Sequence, residues 1–303
     1  MNNLNTKDTG KHLQKRKGFF SPAVWIIAGS VLAVLLLLLL LFFLLSGGGG
    51  DMEDEAPDDS DPSENSILYH GTYIPIQPDV PKNDYDREAF SYEDGFIYYD
   101  SNSASSGIDV SSHQGEIDWA QVADAGIDFA IIRVGYRGMV EGGLFLDDYF
   151  AYNMENALAN GIRVGVYFFS QATTEKEAEE EAALVLEAIE PYDVTYPVVF
   201  DWEPGKMENA RTENMSGDVL NGCAAAFCAQ IQAAGYIPAV YFNLDTGYML
   251  YDPDVVSDYC VWFAQYDQTP DYYYEFSIWQ YSCTGTVPGI STAVDLDLSF
   301  VRF

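Results

Sequence analysis

Positive charge is what this chain lacks most. Only 14 Lys and Arg stand against 47 Asp and Glu, a net charge of −33. That balance excludes nucleic-acid binding by phosphate neutralisation, and any grip on an anionic polymer must be local and specific. Histidine is scarce as well, with His12, His70 and His113 alone. The four cysteines, Cys223, Cys228, Cys260 and Cys283, all fall in the last third and match no zinc spacing. No metal and no cofactor are expected. No Gly-rich phosphate loop follows any candidate strand, which argues against an open dinucleotide-binding sheet.

What the chain does have begins with a polar, basic segment over residues 1–18, followed by an uninterrupted apolar run over residues 19–45. About 20 such residues span a bilayer, and the run is too long for the core of an export signal. The basic flank precedes it, so the expected arrangement is a single-pass membrane anchor with a cytoplasmic N-terminus and the domain that follows extracellular. The lipid bilayer is thus one expected partner. Residues 46–66 are almost entirely Gly, Asp, Glu, Ser and Pro, an acidic flexible linker that cannot bury a core. Residues 67–103 carry short extended pieces at Ile67, Thr72 and Phe96, with Asp94-Gly95 as a hairpin turn; they are expected to pack on the domain over 104–303.

From Gly107 the pattern alternates. Strand-like runs at 108–110, 129–135, 164–169, 196–203 and 237–242 are separated by helical stretches at 117–125, 147–160, 174–190 and 216–234. Thr174 reads as an N-cap, with Glu177 completing a capping box. Then the helices fail, leaving strands at 260–266 and 276–281 and near 294–298. Five β/α units followed by three strands predict an α/β fold, an irregular TIM-like barrel with its site at the C-terminal face. If 260–266 and 276–282 run antiparallel with 263 opposite 280, Cys260 meets Cys283 in a disulfide, while Cys223 and Cys228 stay free.

The candidate chemistry sits at strand ends. Tyr196-Pro-Val-Val-Phe-Asp-Trp-Glu-Pro204 places Asp201 and Glu203 on one face, roughly 6–7 Å apart at Cα. Acids on an apolar strand are costly unless used, and neighbouring carboxyls push their pKa values apart, as glycosidic cleavage requires. Asp109 lies in the first strand and Asp295 in the last, which are neighbours in a closed barrel. Aromatics gather at the same ends: Tyr136, Tyr167, Tyr241, Trp262, Trp279 and Tyr281. Acids ringed by aromatic platforms suit a sugar.

In register, Gly107-Ile-Asp-Val-Ser-Ser-His-Gln-Gly115, Phe129-Ala-Ile-Ile-Arg-Val-Gly-Tyr136, Gly165-Val-Tyr-Phe-Phe169, Asp201-Trp-Glu203, Ile278-Trp-Gln-Tyr281 and Val294-Asp-Leu-Asp297 resemble glycoside hydrolase family 25, the lysozymes that cut bacterial peptidoglycan. The resemblance implies N-acetylmuramidase action on peptidoglycan glycan strands, with cleavage of the β-1,4 bond between N-acetylmuramic acid and N-acetylglucosamine. It implies Glu203 as general acid, its pKa raised by burial beside Asp201. Asp201 is implied as stabiliser or orienter of the substrate acetamido group, or as nucleophile, and Asp109 and Asp295 as supporting acids. Tyr167, Tyr241, Trp279 and Gln280 are the candidate substrate-binding side chains. The family often reads D-x-N where this chain has Asp295-Leu-Asp297, and Asp295 is favoured by position. A glycosidase of another N-acetylated glycan, or a binding module without turnover, are the competing readings.

Overall fold

The computed structural model describes residues 65–266 and 269–303. The expected cytoplasmic tail, membrane anchor and most of the acidic linker lie outside the described residues. Among the described residues, no helix is long and apolar enough to cross a membrane.

Two hairpins come first: β1 (Ser66–Tyr69) with β2 (Thr72–Pro75), and β3 (Phe90–Glu93) with β4 (Phe96–Tyr99). Both turns use two residues at positive φ, His70-Gly71 and Asp94-Gly95, the twist that two-residue hairpins require.

Eight strands then close into a barrel. These are β5 (Ser105–Val110), β6 (Phe129–Arg137), β8 (Arg163–Ser170), β9 (Val194–Trp202), β10 (Pro238–Asn243), β11 (Cys260–Ala264), β12 (Ile278–Gly285) and β13 (Val294–Ser299). The ring runs β5-β6-β8-β9-β10-β11-β12-β13 and returns to β5. A short edge strand, β7 (Leu144–Leu146), pairs antiparallel with the end of β6. Helices α1 (Trp119–Asp124), α2 (Phe150–Ala159), α3 (Glu175–Ile189) and α4 (Gly217–Ala233) connect the first five barrel strands, and the short α5 (Leu244–Met249) and α6 (Pro253–Val256) lead to β11. Because β13 is antiparallel to both neighbours, the molecule is an eight-stranded barrel with helices rather than a regular all-parallel one.

Alternation along each strand divides the core in two. Phe129, Ile131, Tyr167, Tyr196, Val199, Ala239, Tyr241, Trp262 and Ile278 fill the barrel interior, while the opposite faces meet the helices. Helix ends follow local chemistry, as when Thr174 and Ser216 accept the backbone N–H groups of Glu177 and Val219. The capping box at Thr174 differs from expectation. Glu177 reaches back one residue further, where its Oε2 accepts from Thr173 N and Oγ1 at 2.8 and 2.9 Å.

The cysteine pairing is overturned. β11 and β12 are parallel, with Trp262 opposite Ile278 and Phe263 opposite Trp279, so Cys260 and Cys283 lie toward opposite strand ends and all four cysteines are free. The connection between these strands needs no helix because it buries Tyr272, Tyr274 and Phe276 itself. Residues 80–100 complete this outer layer. Tyr85 stacks on Phe300 at 3.9 Å, Phe90 meets Trp279 edge-on at 5.7 Å, and Ile97 is buried in the same core. Asn83 N donates to Tyr273 O, Glu275 N to Pro81 O, and the Tyr85 hydroxyl to Phe276 O. Where crossover helices stop, the segment before the barrel takes their place.

Candidate active site

The parallel strands deliver their last inward side chains to one groove of about 650 Å³. Asp109 enters from β5, Asp201 and Glu203 from the end of β9, and Asp295 from β13, where it is the direct partner of Asp109. Gln280 is the hub on β12. Its Nε2 donates to Asp109 Oδ2 at 2.7 Å, and its Oε1 accepts the hydroxyls of Tyr241 and Tyr266, both at 3.0 Å. Tyr167 and Tyr241 flank Trp262 edge-on. One layer deeper, Trp262 Nε1 donates to Asp297 Oδ1 at 2.8 Å. Asp295 and Asp297 thus share the inward face at two depths, with Asp295 at the groove and Asp297 sealed beneath it.

Burial dominates the electrostatics. It raises Asp109, with the Asp295 and Asp297 charges adding to the effect. It raises Asp201, with Glu203 adding and the Arg133 guanidinium opposing. It pushes Asp295 up to about 6, and raises Asp297 despite the Trp262 N–H. The expected burial of Glu203 falls instead on Asp201, which is 5% exposed. The Glu203 side chain is 35% exposed, and its carboxylate meets Lys206 Nζ at 3.8 Å. Glu203 follows the last paired residue of its strand, so it rises out of the barrel while Asp201 stays within it. Asp201 Oδ1 is buried and has no hydrogen-bond partner among the described residues, an acceptor left open.

Trp279 is not in the groove. Ile278 and Gln280 point inward, so the residue between them points outward; Trp279 is fully buried against Phe90 and donates to Gln265 O at 2.8 Å. Tyr281 lies on the same outer face. Trp262 supplies the indole at the groove. His113 lines the rim from a short turn over 112–114.

Several contributors escaped the sequence reading. Arg133 is the inward residue after Phe129 and Ile131, a signal the two-residue period carries. Its Nε donates to Asp147 Oδ2 at 2.8 Å, and one terminal nitrogen to Ser112 Oγ at 3.1 Å. Its guanidinium lies 5.6 Å from the Tyr136 ring. Gln171, fully buried, holds the backbone around Glu203: its Nε2 donates to Glu203 O at 2.9 Å, and its Oε1 accepts from Thr212 Oγ1 at 2.7 Å. Thr212 Oγ1 in turn accepts Gly205 N at 3.2 Å. No single-residue signal in the sequence marks this clamp. Among the described residues, no group of three or more His, Cys, Asp or Glu side chains could hold a metal ion.

A closed barrel with paired acids and an aromatic, hydroxyl-rich wall at one mouth defines a glycoside hydrolase. The chain belongs to glycosyl hydrolases family 25, which matches over residues 108–290. It is 30% identical over 205 residues to the uncharacterised protein YegX of Escherichia coli O157:H7, covering 63% of this chain and 68% of that one. It is 29% identical over 200 residues to Lysozyme M1 of Streptomyces globisporus, covering 62% of this chain and 65% of the relative. The solved autolysin LytC of Streptococcus pneumoniae shares the fold, with a TM-score of 0.59 and 23% identity over 77% of this chain. This chain spans 57% of that autolysin.

Proposed function

We propose that the chain is an N-acetylmuramidase that hydrolyses the β-1,4 bond between N-acetylmuramic acid and N-acetylglucosamine in peptidoglycan. The observation that carries this reading is the pairing of a half-exposed Glu203 with a buried Asp201 whose Oδ1 lacks a partner among the described residues. Glu203 stands at the mouth as proton donor to the glycosidic oxygen. Asp201 accepts the N–H of the substrate acetamido group and steers its carbonyl oxygen onto the anomeric carbon, the substrate-assisted route open to some glycosidases.

In the free site burial favours the neutral form of Asp201. Substrate corrects this. An acetamido N–H at Oδ1, together with Arg133, stabilises the Asp201 carboxylate, while Glu203 carries the proton that cleavage needs. As the C–O bond breaks, Glu203 gives up that proton and the acetamido oxygen closes a ring on the anomeric carbon. Glu203 then takes a proton from the water that opens the ring, and the configuration is retained. Asp109, Asp295 and the Gln280–Tyr241–Tyr266 cluster hold sugar hydroxyls. Wild-type chain incubated with purified wall is expected to release reducing ends and to be inhibited competitively by a thiazoline mimic of the ring intermediate. A covalent sugar trapped on Asp201 would overturn the substrate-assisted route.

We also propose that residues 19–45 anchor the chain in the membrane with residues 1–18 cytoplasmic, on the strength of the apolar run and its basic flank. Protease added to wall-stripped cells is expected to shed the active domain; protection of that domain with loss of the N-terminus would reverse the orientation.

A further inference from the structure

The groove has two chemically different walls. On the β10–β11 side stand Tyr241, Trp262 and Tyr266, planar rings with two hydroxyl groups, suited to a sugar. On the opposite side the β6–β7 hairpin raises Met139, Phe145 and Leu146 into the same groove. Leu144, Phe145 and Leu146 are 37%, 50% and 53% exposed, and Val140 beside them is 44% exposed. Three consecutive exposed apolar residues on an edge strand are a feature that soluble proteins avoid unless something covers them.

The hairpin is not a loose flap. Phe145 stacks on Tyr136 at 5.3 Å. Arg137, buried and paired with Glu181 at 2.7 Å, donates to Gly142 O at 2.9 Å. Arg211 N donates to Met139 O at 2.9 Å, and its guanidinium fills the space a Cβ on Gly142 would need. Arg211 belongs to the loop that follows Glu203, so this shelf and the proposed acid are fixed to one frame. A rigid apolar surface whose own side chains, Met139, Phe145 and Leu146, offer no hydrogen-bond donor is poorly matched to a hydroxyl-covered sugar. It is well matched to methyl groups.

We infer that the β6–β7 shelf binds the non-carbohydrate part of the substrate strand, the lactyl ether and alanine-containing peptide stem carried by muramic acid. The inference rests on the muramidase reading and deepens it, because the shelf is continuous with the acid-lined groove. It makes Phe145 and Leu146 specificity-determining residues. The enzyme favours stem-bearing strands over bare glycan, and the preference resides in the hairpin.

The test compares kcat/KM of the full-length chain on glycan strands carrying stems and on the same strands stripped by an amidase. Wild type is expected to favour stem-bearing strands by about tenfold, the return from burying some 60 Å² of apolar surface. In Leu146→Asn the ratio is expected to fall toward one, mainly through KM on stem-bearing strands. Leu146 is half-exposed, so this change leaves the fold intact where Phe145→Ser could loosen the hairpin. A wild-type ratio near one, or a ratio unmoved by Leu146→Asn, overturns the inference. If wild type cuts neither substrate, the muramidase reading itself fails, a result distinct from cleavage of both at equal rates.

Discussion

Replacing Gln171 with Leu tests whether the backbone clamp on Glu203 matters to catalysis. The change keeps volume but removes three hydrogen bonds, to Glu203 O and Ser170 O and from Thr212 Oγ1, in a place with no exposed surface. Three polar groups lose their partner, of which Thr212 Oγ1 keeps Gly205 N, and each buried group left unsatisfied costs about 1–3 kcal/mol. A stability loss of at least about 2 kcal/mol is therefore expected, readable as a lower urea midpoint. Catalysis should suffer separately. Pro204 has no N–H, Gly205 N donates to Thr212 Oγ1, and among the described residues no side-chain hydrogen bond holds the Glu203 carboxylate, so the backbone sets its position. A shift of about 1 Å in a reacting group costs on the order of 10²-fold. At a temperature where the variant is folded, kcat is expected to fall by that order with KM little changed. The pH–rate profile is also expected to change shape, because the Asp201–Glu203 coupling depends on their separation; a merely structural role would leave the profile in place. Gln171→Leu with wild-type kcat and pH profile would refute the reasoning.

Removing residues 1–103 strips Tyr85, Phe90 and Ile97 from Trp279, Phe300 and their neighbours. At about 1.5–3 kcal/mol for each buried side chain, fragment 104–303 is expected to be aggregated or to melt far below a chain beginning near residue 65; equal melting temperatures would contradict the covering role. Asp295→Asn is expected to raise stability while lowering activity. A carboxyl whose folded pKa lies near 6 rather than 3.8 stabilises the fold fully only below about pH 4 and loses that contribution as pH rises to 6. The gain over wild type in urea midpoint should thus grow between pH 4 and 6, by at most about 3 kcal/mol. Without reductant, all four thiols are expected to titrate after unfolding, and Cys283 first in the folded chain, since it is exposed while Cys223 and Cys228 are buried; a missing pair of thiols would restore the disulfide.

The acids were legible because charge on an apolar strand is conspicuous: Asp109, Asp201, Glu203 and Asp295 all reach one groove. The alternation that carries this information also decides Trp279, which cannot share a face with Gln280. Strand direction is different. The aromatic segment between β11 and β12 buries side chains as a helix would, so its composition gave no sign that it crosses over to a parallel strand. Arg133 lay within the two-residue pattern, whereas Gln171 and Thr212 come together only through folding across 41 residues of chain.

The central claim is that Glu203 is the proton donor of a muramidase, and one measurement addresses both halves of it. Purified peptidoglycan is digested with wild type and Glu203→Gln, reduced with borohydride, and the new chain ends are identified and counted with time. Wild type is expected to yield muramicitol ends, and the variant to yield them at a rate at least ~10²-fold lower. Glucosaminitol ends, or a Glu203→Gln rate close to wild type, would contradict that claim.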